Sequence, residues 1–346
     1  MEQITRIGMD ISKAFFQLHG VNAQEQVVLR KKLQRRQVVE FFRRLAPTKI
    51  GMEACGSAHY WARELKALGH DVVLLPPHYV KAYVKRGKHD AADAEAICEA
   101  MSRPSMRVVP VKSAEQQAAQ MLLGTRDLLV RRRTQLSNAI RGHAAEFGLI
   151  AAKGLAKIAP LLGRIQEDGA LPAMAKEVFC ALEDEYARCE KALEAIEAKL
   201  MVLHRDNEVS RRLREIPGIG PINATALAIK VTDPQSFRSG RDFAAWMGLT
   251  PKNHSTAGKT RLGVITRAGD EMLRSTLVVG ATALIQQVRR GRTKPSPWLA
   301  ELLKRKTPKQ AAVALANKTA RVAWKLMVSG ERYRPPHNKL PVVASA

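Results

Sequence analysis

The sequence predicts an α/β domain followed by an all-α region, and three observations lead there. Apolar, β-branched runs alternate with amphipathic stretches over the first 112 residues. Two long helix-forming stretches follow, and the remainder shows helical runs broken by Pro/Gly turns. The expected division is 1–112, an α/β domain; 113–206, a helical coiled-coil arm; 207–331, a helical domain; and 332–346, a disordered tail rich in proline.

Strands are expected at Ile4–Ile11, Phe16–Val21 and Val27–Leu33, then at Lys49–Glu53 and Asp71–Leu75. Helices are expected at Val38–Leu45, Ala58–Leu68 and Asp90–Met101, the last following the Pro76-Pro77 break. Three successive strands, then helix, strand, helix, strand, helix, describe a sheet that starts with antiparallel hairpins and continues with parallel crossovers. That order is the ribonuclease-H-like one. Ser113 and Gln116 form a capping box for a helix running to about Gly148, roughly 50 Å long at 1.5 Å per residue. After a Gly/Pro-containing break comes a second long helix, in which Leu182, Tyr186, Cys189, Leu193, Ile196, Leu200 and Leu203 recur at spacings of four and three. Such a seam joins two subunits or is filled by the helix from Ser113. From Ser210 to Gly330 the pattern is all-helical, with turns at Ile216–Pro221, Gly248–Pro251 and Arg292–Pro297.

A chain of 346 residues with 46% hydrophobic and 26% charged composition is ordinary for a globular protein, which argues against disorder and membrane residence. No apolar run reaches the ~18 residues that span a bilayer. The first residues lack a basic stretch followed by an apolar core, so a cytoplasmic location is expected. Cys55, Cys98, Cys180 and Cys189 show no zinc-ligand spacing and are expected to be reduced, buried and inert.

Charge is the first functional clue. Lys and Arg number 57 against 32 Asp and Glu, a net +25, and Glu208–Ala346 alone holds 25 basic and 8 acidic residues, or +17. An anionic membrane surface or plain solvation is one reading of such a face; a nucleic acid held mainly by the C-terminal half is the better one.

Four acids carry the expected chemistry. Asp10 falls near the end of the first strand, on one face by alternation, with Gly8 leaving room for close backbone approach. Glu53 ends the fourth strand, which in this order lies parallel beside the first. Asp90 and Asp93 are three apart at a helix start and so share a face. Converging carboxylates repel one another unless cations lie among them, and two Mg2+ ions roughly 3.5 to 4 Å apart suit phosphodiester chemistry. Singly, each acid has a plainer reading: Asp90 as a helix cap, Asp10 in a turn.

Two further motifs stand in the basic half. Ile216-Pro217-Gly218-Ile219-Gly220-Pro221 has the form of a helix-hairpin-helix, where Gly218 and Gly220 let backbone amides approach a phosphate; a tight turn without ligand is the alternative. In Gly248–Gly263, Ser255 lies in a Gly-containing loop with Lys259 and Arg261, and Arg267 follows. These cations suit a phosphate, and a serine in such a loop is ordinarily a phosphate ligand.

With these motifs in place, the chain resembles the DEDD transposases of insertion sequences. The resemblance runs through the Asp10 strand, Gly51-Met52-Glu53-Ala54-Cys55-Gly56, Lys88-His89-Asp90-Ala91-Ala92-Asp93-Ala94-Glu95, the Pro-Gly-Ile-Gly turn and the Ser255 loop. It implies a RuvC-like N-terminal domain whose metal-binding set is Asp10, Glu53, Asp90 and Asp93, and a C-terminal domain in which Ser255 forms a covalent phosphoserine link to DNA. It also implies a homo-oligomer, dimer or tetramer, with acids and serine meeting in a composite site, and a structured guide RNA encoded beside the gene. The loop reads Ser255-Thr256 where the family carries several serines; Ser255 is the preferred nucleophile. Rival readings are a metal-dependent junction-resolving nuclease that uses only the acids, and a non-catalytic nucleic-acid-binding protein.

Overall fold

Alternation along the first strands decides which side chains leave water. In the computed structural model, which describes residues 3–85, 90–256, 258–259 and 261–335, strands β1 (Arg6–Ile11), β2 (Phe15–Val21) and β3 (Val27–Gln34) form an antiparallel meander. Helix α1 (Val38–Arg43) follows, then β4 (Lys49–Glu53), α2 (Ala58–Ala67), β5 (Asp71–Leu75), the short α3 (Pro77–Val80) and α4 (Asp90–Ala100). β1 pairs in parallel with β4, and β4 with β5, giving the order β3-β2-β1-β4-β5. The five-stranded mixed sheet is compatible with the ribonuclease-H-like order read from the sequence, and each predicted strand lies within about two residues of its observed bounds.

One sheet face buries Ile7, Met9, Ile50 and Met52 in a core with Val38, Phe42, Trp61 and Leu65. The residues between them, Gly8 and Gly51, face α4. A Cβ at Gly8 would stand 2.2 Å from the Ala94 carbonyl oxygen, and one at Gly51 would stand 2.7 Å from Met101 Sδ. The missing side chains therefore let the helix lie directly on the strands.

The chain divides into two compact units, Met1–Ala118 and Ala119–Ala346. Helix α5 (Ala114–Glu146) opens with the expected capping box: Gln116 N–H donates to Ser113 Oγ and Ser113 N–H to Gln116 Oε1. The second unit continues with α6 (Ile158–Glu167), α7 (Ala173–Asp206), α8 (Glu208–Arg214), α9 (Pro221–Lys230), α10 (Gly240–Trp246), strands β6 (Pro251–Asn253) and β7 (Leu262–Ile265), α11 (Glu271–Arg289), α12 (Pro297–Arg305) and α13 (Pro308–Ser329). The heptad-like seam of α7 is turned onto α5 of the same chain, antiparallel to it. Arg126 pairs with Glu197 at 2.6 Å, Arg133 with Glu190 at 3.0 Å and Arg132 with Glu185, while Cys189 Sγ donates to Leu129 O at 3.4 Å. Cys189, Leu193 and Leu200 are buried there.

Four expectations change. The break before α7 holds a helix, α6, because Ile158, Leu161, Leu162 and Ile165 bury against Phe179. The C-terminal region is not purely helical, since β6 and β7 pair antiparallel around the serine loop. Cys55 and Cys180 are exposed and only Cys98 and Cys189 buried; all four are free thiols. At the start of the tail, Arg332 lies 3.5 Å from Glu215 and Tyr333 N–H donates to the same carboxylate, so this part is tied down; residues 336–346 fall outside the described set.

Candidate functional site

In the first unit two of the predicted acids, Asp10 and Glu53, stand at or next to the ends of neighbouring strands, and the other two, Asp90 and Asp93, stand in the first turn of α4. Asp10 and Glu53 follow the paired residues Met9 and Met52 on neighbouring parallel strands. Both share the face of Gly8 and Gly51, the side on which α4 packs, and both are half-buried. Helix α4 runs antiparallel to β1: Arg6 Nε donates to Cys98 O at 3.2 Å, and Gly8 faces Ala94 as well as Cys98. Two residues up the strand correspond to about one turn back along the helix. Continuing that register carries the first turn of α4, with Asp90 exposed and Asp93 half-buried, toward Asp10. The partial positive charge of a helix start favours carboxylates there. Lys88 and His89, the start of the recognised motif, lie outside the described residues.

Cys55 lies beside the two strand acids: although its surface is exposed, partial desolvation of the thiol and then the carboxylates of Glu53 and Asp10 push its pKa up. The sequence signal for Cys55 is its place two residues past Glu53, beyond the strand end. Among the described residues no three His, Cys, Asp or Glu side chains are gathered tightly enough to hold a metal ion. The donor set is nonetheless all carboxylate oxygen, the chemistry a hard divalent cation takes.

In the second unit the serine loop is a β-hairpin. His254 N–H donates to Arg261 O at 2.8 Å, and a tight turn closes at Thr256 and Lys259, with Gly258 at φ 76°. Ser255 is held at both ends: its N–H donates to Asn253 Oδ1 at 2.9 Å, and its Oγ accepts from Arg261 N–H at 3.0 Å. The hydroxyl is thus oriented while its proton stays available, and Ser255, Thr256, Lys259 and Arg261 are exposed. Gly263 makes room for the His254 ring, since a Cβ there would stand 3.1 Å from Nε2. Ala257 and Thr260 are outside the described residues.

The hairpin stands on a fixed base. Gly248 and Gly269 both adopt positive φ, and Cβ atoms there would lie 2.2 Å from Ala268 O and 1.8 Å from Trp246 O. Only glycine permits that backbone approach. Arg274 Nη1 clamps the junction, donating at 3.0 Å to Met247 O and to Ala268 O. Arg267 itself takes a left-handed φ of 57° and is exposed.

The Pro-Gly-Ile-Gly turn links α8 to α9. Gly218, at φ 87°, packs on α11, where a Cβ on Gly280 would meet Gly218 O at 1.9 Å; Gly220 caps α9 and is open, with nothing within 4 Å of a Cβ. Beneath lies a buried polar chain. His204 Nδ1 meets Ser210 Oγ at 2.7 Å, Ser210 Oγ meets Thr225 Oγ1 at 3.1 Å, and Thr225 donates to Pro221 O. Burial and the nearby Arg214 and Arg211 lower the His204 pKa.

Two family models match the chain: the DEDD transposase model of IS110 over residues 7–147, and the transposase IS116/IS110/IS902 family over residues 210–295. A Sinorhizobium fredii protein named as a transposase, y4pF/y4sB, is 63% identical over 335 residues, covering 96% of this chain and 87% of the relative. The chain belongs to the IS110/IS116 family of transposases. The transposase is also similar to those for insertion sequence elements IS1111A of Coxiella burnetii, 39% identical over 96% of this chain and 92% of the relative, and IS1328 of Yersinia enterocolitica, 38% identical over 95% and 98%. The four acids lie inside the first matched region, and Ser255 and the Pro-Gly-Ile-Gly turn inside the second. No helix among the described residues is long and apolar enough to cross a membrane.

Proposed function

We propose that this transposase cuts and rejoins DNA with two sets of groups: the carboxylates of Asp10, Glu53, Asp90 and Asp93, which hold Mg2+, and the hydroxyl of Ser255, which attacks the backbone phosphate. The observation that supports the reading is the seating of α4 on Gly8 and Gly51, beside the strands that carry Asp10 and Glu53, with Asp90 and Asp93 in the first turn of that helix. Bound there, divalent cations supply the charge that activates an attacking oxygen and stabilises a departing one.

In the proposed step an Oγ–P bond forms at Ser255 as one P–O ester bond of the DNA strand breaks. The departing strand oxygen takes up the proton given up by Ser255, so no water is consumed. Attack by a hydroxyl of a second strand reverses the step and completes exchange. Lys259 and Arg261 stand by to neutralise charge on the phosphate. The oriented Oγ favours Ser255 over Thr256. Element-encoded guide RNA, homo-oligomeric assembly and nucleic-acid contacts through Gly218, Gly220 and Arg267 complete the proposal, supported by the C-terminal charge excess of +17.

The test is to denature a running reaction and look for protein covalently attached to DNA. We expect an adduct with the parent and with Thr256→Ala, and none with Ser255→Ala or without Mg2+. Cleavage to free ends by Ser255→Ala would replace this reading with a nuclease that uses only the acids. Full recombination by ribonuclease-treated protein would remove the guide RNA.

A further inference from the structure

We propose that the groove between α13, α12 and the serine hairpin is a binding site for an unpaired DNA strand. The groove, about 1770 Å³, is lined by β7 at Gly263, Val264 and Ile265 on one wall and by α12 at Trp298 and Leu302 on another. Along α13 it meets Lys309, Lys318, Arg321 and Lys325. Lys306, Arg241 and Arg267 bring the cations to seven, and among the described residues no carboxylate lines it. Among the described residues none of the seven is in an ion pair with an acid. A groove of this charge holds a polyanion.

Its floor says which kind. Most of the lining is apolar, including Val313, Ala314 and Val322, and Lys318 Nζ stands 4.1 Å over the half-buried Trp298 ring. A duplex turns sugar and phosphate outward and hides its bases, so such a floor would gain nothing from it. An unpaired strand presents both parts: phosphates for Arg321 and for Lys318, which would move off the indole to meet them, and base faces for that indole and the aliphatic floor. Burial first, then the neighbouring Arg321, lowers the Lys318 pKa, and a phosphate beside it would offset both. Trp324 is committed to the scaffold, its Nε1 donating to Pro234 O at 2.9 Å, which leaves Trp298 as the stacking group. The strand is DNA because one wall is the hairpin that carries Ser255; this clause rests on the proposed attack of that serine on DNA.

Binding can be read without chemistry, by fluorescence anisotropy on the full-length Ser255→Ala protein without divalent cations, so failure of the covalent step and failure of the groove remain separate results. Labelled single-stranded DNA, the same sequence as duplex, and the same sequence as RNA are the ligands. Trp298→Ala should weaken single-stranded DNA binding about tenfold and Trp298→Phe about twofold or less, since the aromatic face is kept. Duplex affinity should hold within about twofold in both variants. Lys318→Gln should lower the salt slope for single-stranded DNA by about 0.7. Thermal unfolding checks that the variants fold, and the conservative Trp298→Phe and Lys318→Gln preserve most of the packing. Unchanged single-strand binding in Trp298→Ala and Lys318→Gln would overturn the proposal. So would an equal loss on duplex, or a loss confined to RNA.

Discussion

Replacing Gly8 by alanine tests the geometry on which the proposed acid site depends. A Cβ at Gly8 would stand 2.2 Å from Ala94 O, 2.4 Å from Cys98 N and 2.8 Å from Cys98 Cβ, where real contacts do not fall below 3.0 Å. The nearest of these are backbone atoms in the middle of α4, which cannot rotate aside, so helix and strand must separate by about 0.8 Å or more. That separation loosens Ala94, Ile97 and Cys98, all buried against the sheet. Overpacking of this kind costs about 1–3 kcal/mol. The same shift moves Asp90 and Asp93 relative to Asp10 and Glu53, and a misplacement near 1 Å costs on the order of 100-fold in rate. Gly142→Ala is the matched control: it lies in α5 with nothing within 4 Å of a Cβ, and should stabilise by about 0.5–1 kcal/mol through helix propensity. Denaturant unfolding followed by circular dichroism reads the first effect, and strand cleavage at saturating DNA the second. Gly8→Ala with parental stability and full cleavage would mean that α4 does not rest on β1, and the convergence argument would fall.

Gly280→Ala should lower unfolding free energy by about 1–3 kcal/mol, because its Cβ meets Gly218 O at 1.9 Å and forces the Pro-Gly-Ile-Gly turn off α11; a neutral result would place the turn elsewhere. His59, buried with its Nδ1 accepting from Lys112 N–H, has its pKa lowered to about 4 by burial, then by Lys112 and Arg63. The unfolded chain therefore binds the proton first as pH falls, and the stability held above about pH 6.5 is lost progressively down to about pH 4, by at most about 3 kcal/mol. His59→Gln should flatten that window in pH-dependent urea titrations, and an unaltered slope would contradict the assignment. Cys55 and Cys180 should label with a maleimide in the native state while Cys98 and Cys189 label only on unfolding. Mass spectrometry after short exposure distinguishes the two classes, and rapid labelling of Cys98 would argue against the packing of α4 on Gly8.

Much of the first unit is legible in the sequence alone. Ile7, Met9, Ile50 and Met52 alternate with Gly8, Asp10, Gly51 and Glu53, and that alternation alone assigns acids and glycines to one face. The hairpin that holds Ser255 was not legible: Pro251–Asn253 and Leu262–Ile265 are three and four residues long and almost wholly exposed, so they carry no buried period to read. The basic groove was equally hidden, its cations scattered from Arg241 to Lys325 and gathered only when α10, α12, α13 and the hairpin pack.

Residue spacing and backbone period over a few residues are enough to set the strands, the long helices, the capping box at Ser113 and the family motifs. Long-range packing sets the closure of the α7 seam on α5, the seating of α4 on Gly8 and Gly51, and the orientation of the Ser255 hydroxyl by Arg261 N–H. Those outcomes depend on atoms far apart in the chain finding complementary shape and hydrogen-bond partners, and no local period encodes such a meeting.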